Sequence, residues 1–159
     1  MAPDHQITTV RCKRDLAAVA SLFKEYSGSL PVDLAYQDFE AELVSLPGKY
    51  APPSGELLLS RDQNEKPLGC VGLRPILPRG CCEMKRLFIV PEARGTGLGR
   101  AMTEVIVGYA RILHYTELYL DTLPTMTKAI EIYDRMGFDR IEAYYEPTPI
   151  GTVFMRLKL

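Results

Sequence analysis

The sequence predicts a layered α/β domain whose elements run β-α-α-β-β-β-α-β-α-β-β. Three observations lead there. Short runs rich in apolar and β-branched residues alternate with stretches whose apolar residues recur at helical spacing. Two of the short runs, Glu56 to Ser60 and Leu68 to Pro75, are joined by the polar turn Asp62-Gln63-Asn64-Glu65-Lys66 and read as a hairpin. The length, 159 residues, suits one domain spanning 1–159 with a real core and is too short for two ordinary ones. There is no internal repeat and no low-complexity segment.

Ile7, Thr8, Thr9 and Val10 place a first strand over His5 to Cys12. Asp15 can cap a helix carrying Leu16, Val19, Ala20 and Phe23, ending near Ser27-Gly28. A second helix opening at Asp33 puts Tyr36, Phe39, Leu43 and Leu46 on one stripe, and Pro47-Gly48 stops it. Pro47 to Gly55 is the most loop-like stretch, short enough to be a loop and not a linker. After the hairpin, the turn Pro78-Arg79-Gly80 leads into the strand Met84 to Val90. Leu98, Met102, Val105, Ile106, Tyr109, Ile112 and Leu113 mark one face of a long helix. Leu118 to Asp121 is a short buried strand, and Pro124-Thr125 opens a helix with Met126, Ala129, Tyr133 and Met136 on one side and Gly137 as its C′ residue. Two closing strands, Phe138 to Tyr144 and Thr152 to Leu157, flank a Pro-rich turn over residues 146–151.

Composition narrows the function classes. Apolar residues at 47% and charged residues at 25% are those of an average globular protein. Nineteen basic against twenty acidic residues, a net charge of −1, argue against a dedicated nucleic-acid binder. Cys12, Cys70, Cys81 and Cys82 show no C-x-x-C spacing, so neither a metal site nor a disulfide framework is expected. No His adjoins Cys81-Cys82 in sequence, which leaves them as strand residues rather than nucleophiles. The N-terminal residues show no basic region followed by an apolar stretch, and no run approaches the ~20 apolar residues of a membrane span. The expected setting is cytoplasmic, with the nucleus left open.

The run Arg94-Gly95-Thr96-Gly97-Leu98-Gly99-Arg100 lies between the Met84–Val90 strand and the long helix. Its glycines leave no side chains over backbone N–H groups that can converge on a diphosphate at a helix N-terminus, which carries roughly half a positive charge. Spacing separates the known loops of this kind. A Walker loop needs Gly-Lys-Ser or Gly-Lys-Thr, and neither occurs. A dinucleotide loop needs G-x-G-x-x-G, and counting from Gly95 or Gly97 puts Arg100 or Met102 at the third glycine. What remains is [Q/R]-x-x-G-x-[G/A], met by Arg94, Gly97 and Gly99.

With that pattern, the preceding Leu87-Phe88-Ile89-Val90-Pro91, and Ala129-Ile130-Glu131-Ile132-Tyr133-Asp134-Arg135-Met136-Gly137-Phe138 after it, the chain resembles the GNAT superfamily of acyl-CoA-dependent N-acetyltransferases over nearly its whole length. The second segment is similar to the family's A-x-x-x-Y-x-x-x-G-F signature. The resemblance implies a mixed, mostly antiparallel sheet flanked by helices. It also implies acetyl-CoA as acyl donor, its pantetheine arm along the backbone of Leu87, Phe88 and Ile89 and its diphosphate on Arg94, Gly95, Thr96, Gly97, Leu98, Gly99 and Arg100. One departure stands out: many members carry Asn where this chain has Met126, whose thioether cannot reproduce amide hydrogen bonds, so Thr125 or Thr127 is the expected substitute.

Acetylating an amine requires a neutral nucleophile, and a primary ammonium with a pKa of about 10 holds its proton at neutral pH. Glu83 resembles the glutamate that serves the family's histone-acetylating branch as general base; its structural alternative is a strand residue paired with a neighbouring base. Alternation puts Glu83 and Lys85 on one face and Arg86 on the other, unless a bulge intervenes. Tyr133 matches the family tyrosine that protonates the departing thiolate, and on helical spacing alone it is a core residue. Tyr144 and Tyr145, with residues 26–33 between the first two helices, are expected to line an amine pocket, although alternation along a strand lets only one of the two tyrosines face it.

The expected function is thus acetyl transfer from acetyl-CoA to a primary amine by direct attack, with a small-molecule acceptor favoured over a protein lysine or N-terminus. A non-catalytic acyl-CoA sensor is the alternative from another class. The partners expected are the amine alone, with no metal, nucleic acid or membrane, in a monomer or homodimer.

Overall fold

The computed structural model describes residues 4–159; residues 1–3, part of the stretch read above for a targeting segment, lie outside it. The hairpin becomes the middle of the sheet, because its apolar residues are buried on both faces: Leu57, Leu58, Leu59, Val71 and Leu73 are each 2% exposed or less. In chain order the elements are β1 (His5–Thr9), α1 (Lys13–Ser29), α2 (Phe39–Ser45), β2 (Glu56–Asp62), β3 (Pro67–Ile76), β4 (Cys81–Ile89), α3 (Leu98–Ile112), β5 (Glu117–Thr122), α4 (Thr127–Arg135), β6 (Asp139–Ile141) and β7 (Val153–Lys158). The order is the expected one. The strands form one sheet, β1-β2-β3-β4-β5-β7-β6, in which only β4 and β5 are parallel.

Several boundaries differ from the sequence reading, each for a local reason. β1 stops at Thr9, after which Val10 N–H bonds the Leu57 carbonyl alone. Cys12, not Asp15, is the N-cap of α1; Asp15 sits in the first turn and pairs with Arg61 at 2.6 Å. The second helix is split: Asp33 caps a single 3-10 turn over Leu34–Gln37 by accepting from Ala35 N–H at 2.9 Å, then Asp38 turns left-handed (φ 55°) and α2 restarts at Phe39. Met126, two residues beyond Pro124, is the N-cap of α4. Gly137, at φ 92°, closes α4 as expected, with Phe138 N–H reaching back to the Tyr133 carbonyl.

α1 and α3 cover opposite faces of the sheet. Tyr26 of α1 meets Phe88 on one face (ring centroids 6.0 Å apart), and Met102 of α3 lies on the other, its sulfur 3.1 Å from where a Cβ on Gly69 would stand. Beside α1 the fully buried Tyr50 ring stands edge-on to Phe23 and rests on Gly72, where a Cβ would meet the ring at 2.7 Å. Gly72→Ala is therefore an overpacking change costing about 1–3 kcal/mol, read as a fall of several degrees in melting temperature; an unchanged midpoint would show that Tyr50 moves aside freely.

The site is set by two irregularities in the centre of the sheet. β4 and β5 are hydrogen-bonded only from Cys81/Glu117 to Glu83/Tyr119, after which β5 continues on β7 and the strands splay. Opposite β3, a bulge at Arg86, whose φ is +63°, shifts the register between Cys70/Phe88 and Gly72/Lys85. Glu83, Lys85 and, past the bulge, Phe88 all share the face of α1.

Candidate active site

β4 carries three charged residues, Glu83, Lys85 and Arg86, into the centre of the sheet, where each is 6% exposed or less. Charges are almost never fully buried unless paired, so each has partners. Arg74, opposite Glu83 on β3, donates to Glu83 Oε1 from Nε at 2.9 Å with Nη2 at ion-pair distance from the same oxygen, and the Tyr144 hydroxyl donates a short hydrogen bond to Oε2. Lys85 Nζ lies between two carboxylates, 3.5 Å from Asp121 Oδ1 and 3.9 Å from Glu83 Oε1. Burial pulls the Lys85 pKa below its ordinary value, and the two carboxylates work against that shift.

Arg86 departs from the expected alternation. The bulge brings it to the same network: it donates to Glu42 of α2 at 2.9 Å and 3.3 Å and to Gln37 at 2.6 Å, and its guanidinium stacks 5.1 Å from the Phe39 ring. Burial disfavours its charge, and Glu42 outweighs burial, so its pKa is raised. A positive φ on a non-glycine residue costs of order 1–3 kcal/mol and persists where surrounding contacts over-determine it, as this ion pair does.

Tyr144 and Tyr145 were expected to point to opposite sides of a strand. β6 ends at Ile141, so both lie beyond the sheet and turn into the site. Tyr145 donates to Asp121 Oδ2 at 2.8 Å, while Gln37 Nε2 donates to Tyr145, Asp121 and Tyr36. Phe154 on β7 packs edge-on against both tyrosine rings and fixes them. Burial first, and the nearby carboxylates second, push both hydroxyls well above the usual tyrosine range, so both remain donors.

These groups line a cleft of ≈ 590 Å³ whose far wall is the 3-10 turn, α2 and residues 47–50. Residues 26–33 do not form that wall. Tyr26 instead borders two narrow crevices, of ≈ 20 and ≈ 30 Å³, in the splay between β4 and β5. Tyr133 of α4 borders the second crevice with Met84, Leu87, Met126 and Ala129. It is 4% exposed, and burial raises its pKa beyond the ordinary tyrosine value. Thr122 borders both crevices, whereas Thr125 and Thr127 border neither, which moves the candidate for the missing Asn contact to Thr122.

The glycine loop has the form an anion site needs. Gly95 and Gly97 are left-handed (φ 79° and 86°), and a Cβ on either would meet nothing within 4 Å, so the space over the backbone is open. Gly97 is the N-cap of α3 and no side chain caps the helix, which leaves first-turn N–H groups for a ligand. Leu98 points into the core at 1% exposure and offers its backbone alone. Arg94 folds back on β4, donating to the Ile89 carbonyl at 3.0 Å, and Arg100 holds an exposed i,i+4 pair with Glu104 at 2.9 Å. A diphosphate thus fits the loop, and an extended amide-bearing arm fits the unpaired edge of β4 beyond Glu83.

Glu83, Tyr144 and Tyr145 line the wide cleft, Tyr133 and Leu87 line the second crevice, and the two cavities share Lys85. Missed by sequence were Arg74, Lys85, Asp121, Gln37 and Glu42. Their one sequence signal is the charged run Glu83-Met84-Lys85-Arg86 inside an otherwise apolar central strand. Cys70, Cys81 and Cys82 are buried free thiols in β3 and β4, Cys12 is exposed, and among the described residues no three His, Cys, Asp or Glu gather as a metal site. No helix of the described residues is long and apolar enough to cross a membrane.

Comparison with known proteins gives concordant matches. The model of the acetyltransferase (GNAT) family matches residues 16–138. An uncharacterized N-acetyltransferase of Schizosaccharomyces pombe is 39% identical over 153 residues, 96% of this chain and 94% of the relative. Among solved structures, an acetyltransferase of Streptococcus agalactiae superposes with a TM-score of 0.78 at 22% identity, over 98% of this chain and 99% of that one. A Salmonella typhimurium protein solved with its cofactor acetyl-CoA gives 0.71 at 19% identity, over 98% and 94%.

Proposed function

The chain belongs to the acetyltransferase (GNAT) family and is an acetyl-CoA-dependent N-acetyltransferase; from that premise we propose that it acetylates the primary amine of a small molecule by direct attack, with Glu83 as base and Tyr133 as acid. The observation that supports this reading is that the two groups border neighbouring cavities, Glu83 the wide cleft and Tyr133 the narrow crevice, which share Lys85. A cleft of ≈ 590 Å³ falls within the range of small-molecule sites, about 300–1,000 Å³, which supports a small acceptor over a protein surface.

Acetyl-CoA supplies an activated thioester. The seven residues Arg94–Arg100 hold its diphosphate, on the open left-handed Gly95 and Gly97 and the uncapped start of α3, and the backbone of Leu87, Phe88 and Ile89 holds its pantetheine arm. The acceptor enters as an ammonium. Both Glu83 oxygens already have partners, so the proton reaches Glu83 through Tyr144: the hydroxyl passes its own proton to Oε2 and takes one from the nitrogen. The C–N bond then forms and the C–S bond breaks. Tyr133 gives its proton to the departing sulfur and is reprotonated by the second proton leaving the nitrogen, and the third ammonium proton stays on the amide. One ammonium and one thioester give one amide, one thiol and one proton.

Because burial raises the Tyr133 pKa, the acid keeps its proton at about pH 10, where an ordinary tyrosine gives it up. Tyr133→Phe is expected to lower kcat at least about a hundredfold while acetyl-CoA still raises the melting temperature. Turnover within a few-fold of the parent's removes Tyr133 from the mechanism, and stabilisation by NAD but not acetyl-CoA overturns the donor site.

A further inference from the structure

The cleft does not end at the reacting groups. A second hollow of ≈ 650 Å³ adjoins it and shares Lys49, Arg74, Ile76 and Leu77 with it, so the two form one groove. Its charge changes along its length. Among the lining residues of the inner part, Asp38, Glu42 and Glu83 balance Lys49, Arg74 and Lys85. In the outer part the charged lining residues are Lys49, Arg74 and Arg79, with no carboxylate among them. That excess is local, on a chain whose net charge is −1.

The three cations have bonding capacity to spare, and the backbone that carries Lys49 and Arg79 is anchored. Arg74 donates to Glu83 from Nε, with Nη2 at ion-pair distance, and keeps 24% of its side chain exposed. Among the described residues neither Lys49 nor Arg79 forms an ion pair. Lys49 is set by its neighbour: Tyr50 is clamped on Gly72, and a Cβ at Gly55 would stand 2.5 Å from the Lys49 carbonyl, so only glycine admits this approach. Arg79 belongs to the β3–β4 turn, where Gly80 is left-handed (φ 96°) and its carbonyl accepts from Thr116 N–H at 2.8 Å. The inner and outer ends also share two apolar residues, Ile76 and Leu77, the latter 91% exposed.

We propose that the acceptor is a small amine bearing a carboxylate remote from the reacting nitrogen, and that Lys49, Arg74 and Arg79 seat this carboxylate; the inference rests on the acetyl-transfer reading above. The amine end meets Tyr144, which links it to Glu83, the carbon chain lies on Ile76 and Leu77, and the carboxylate receives charge-assisted hydrogen bonds, for which an arginine fork is suited. A polyamine or a lysine-rich peptide would bring a second positive charge against these three.

The test is thiol release from acetyl-CoA with ω-amino carboxylates, alkylamines and diamines of matched chain length, beside a short acidic peptide with a free N-terminus. The ω-amino carboxylate of fitting length is expected to exceed its matched diamine in kcat/KM about ten- to a hundredfold, chiefly through KM. Arg79→Glu, a change in an exposed turn, is expected to reverse that order, and Arg79→Gln to narrow it. Diamines or alkylamines turned over as well as the carboxylates overturn this inference and leave acetyl transfer standing. An acidic peptide preferred to every small carboxylate overturns the small-molecule assignment. No thiol release from any amine, with acetyl-CoA still stabilising the protein, overturns the transfer reading and this inference with it.

Discussion

Replacing Glu83 by Gln lowers turnover about a hundred- to ten-thousandfold, the range general-base catalysis commands, while the acetyl-CoA-induced rise in melting temperature persists. The separation follows from the geometry: Glu83 lies in the hydrogen-bonded part of β4, before the splay, and takes no part in the glycine loop. A fall in basal stability of about 3–5 kcal/mol accompanies it, because Arg74 and Lys85 lose a buried partner. Tyr144→Phe tests the chemistry without that cost, since it leaves the Arg74–Glu83 pair in place and removes only the hydroxyl between carboxylate and acceptor. Its kcat is expected to fall to within tenfold of the Gln variant's. Parent-like turnover in both would shift the base to Asp121, the carboxylate that borders both crevices.

Gly97→Asp abolishes acetyl-CoA binding at concentrations that saturate the parent, a loss of about a thousandfold, and leaves the fold intact. The left-handed backbone at Gly97 is one that Asp tolerates better than most residues, and its Cβ meets no protein atom. The carboxylate would nevertheless stand over the uncapped start of α3, where the diphosphate is expected, and like charges about 4 Å apart at a protein surface cost about 4 kcal/mol. A parent-like melting temperature that no longer responds to acetyl-CoA is the expected pair of readings. A response equal to the parent's would place the diphosphate elsewhere.

Much of this site was legible because its parts are local in sequence. The glycine run, the strand before it and the helix after it form one continuous segment, and the spacing of Arg94, Gly97 and Gly99 excludes other phosphate loops without any tertiary information. Tyr133 was readable as part of a helix whose C-terminal glycine fixes the register. The acceptor side was less legible, because it is assembled from distant residues: Gln37, Asp121 and Tyr145 meet only once β5 and the segment after β6 are brought against the 3-10 turn. Whether Tyr144 and Tyr145 diverge or converge depended on where β6 stops, and pattern alone carried the strand past Ile141. Alternation separates Arg86 from Glu83 and Lys85 only on a regular ladder, and the bulge that the sequence left open is the one that consumes a residue there and brings Arg86 to their network. The charged run in β4 announced that something polar lay inside the sheet; its partners needed three dimensions.

The central claim is that the acetyl group passes directly from acetyl-CoA to an amine on this protein. Its most direct test measures free thiol and N-acetylated amine in the same reaction. The account predicts equal amounts of the two at every time point, both strongly reduced in Glu83→Gln. Thiol released without acetylated amine, or acetylated amine formed as fast with Glu83→Gln as with the parent, would contradict it.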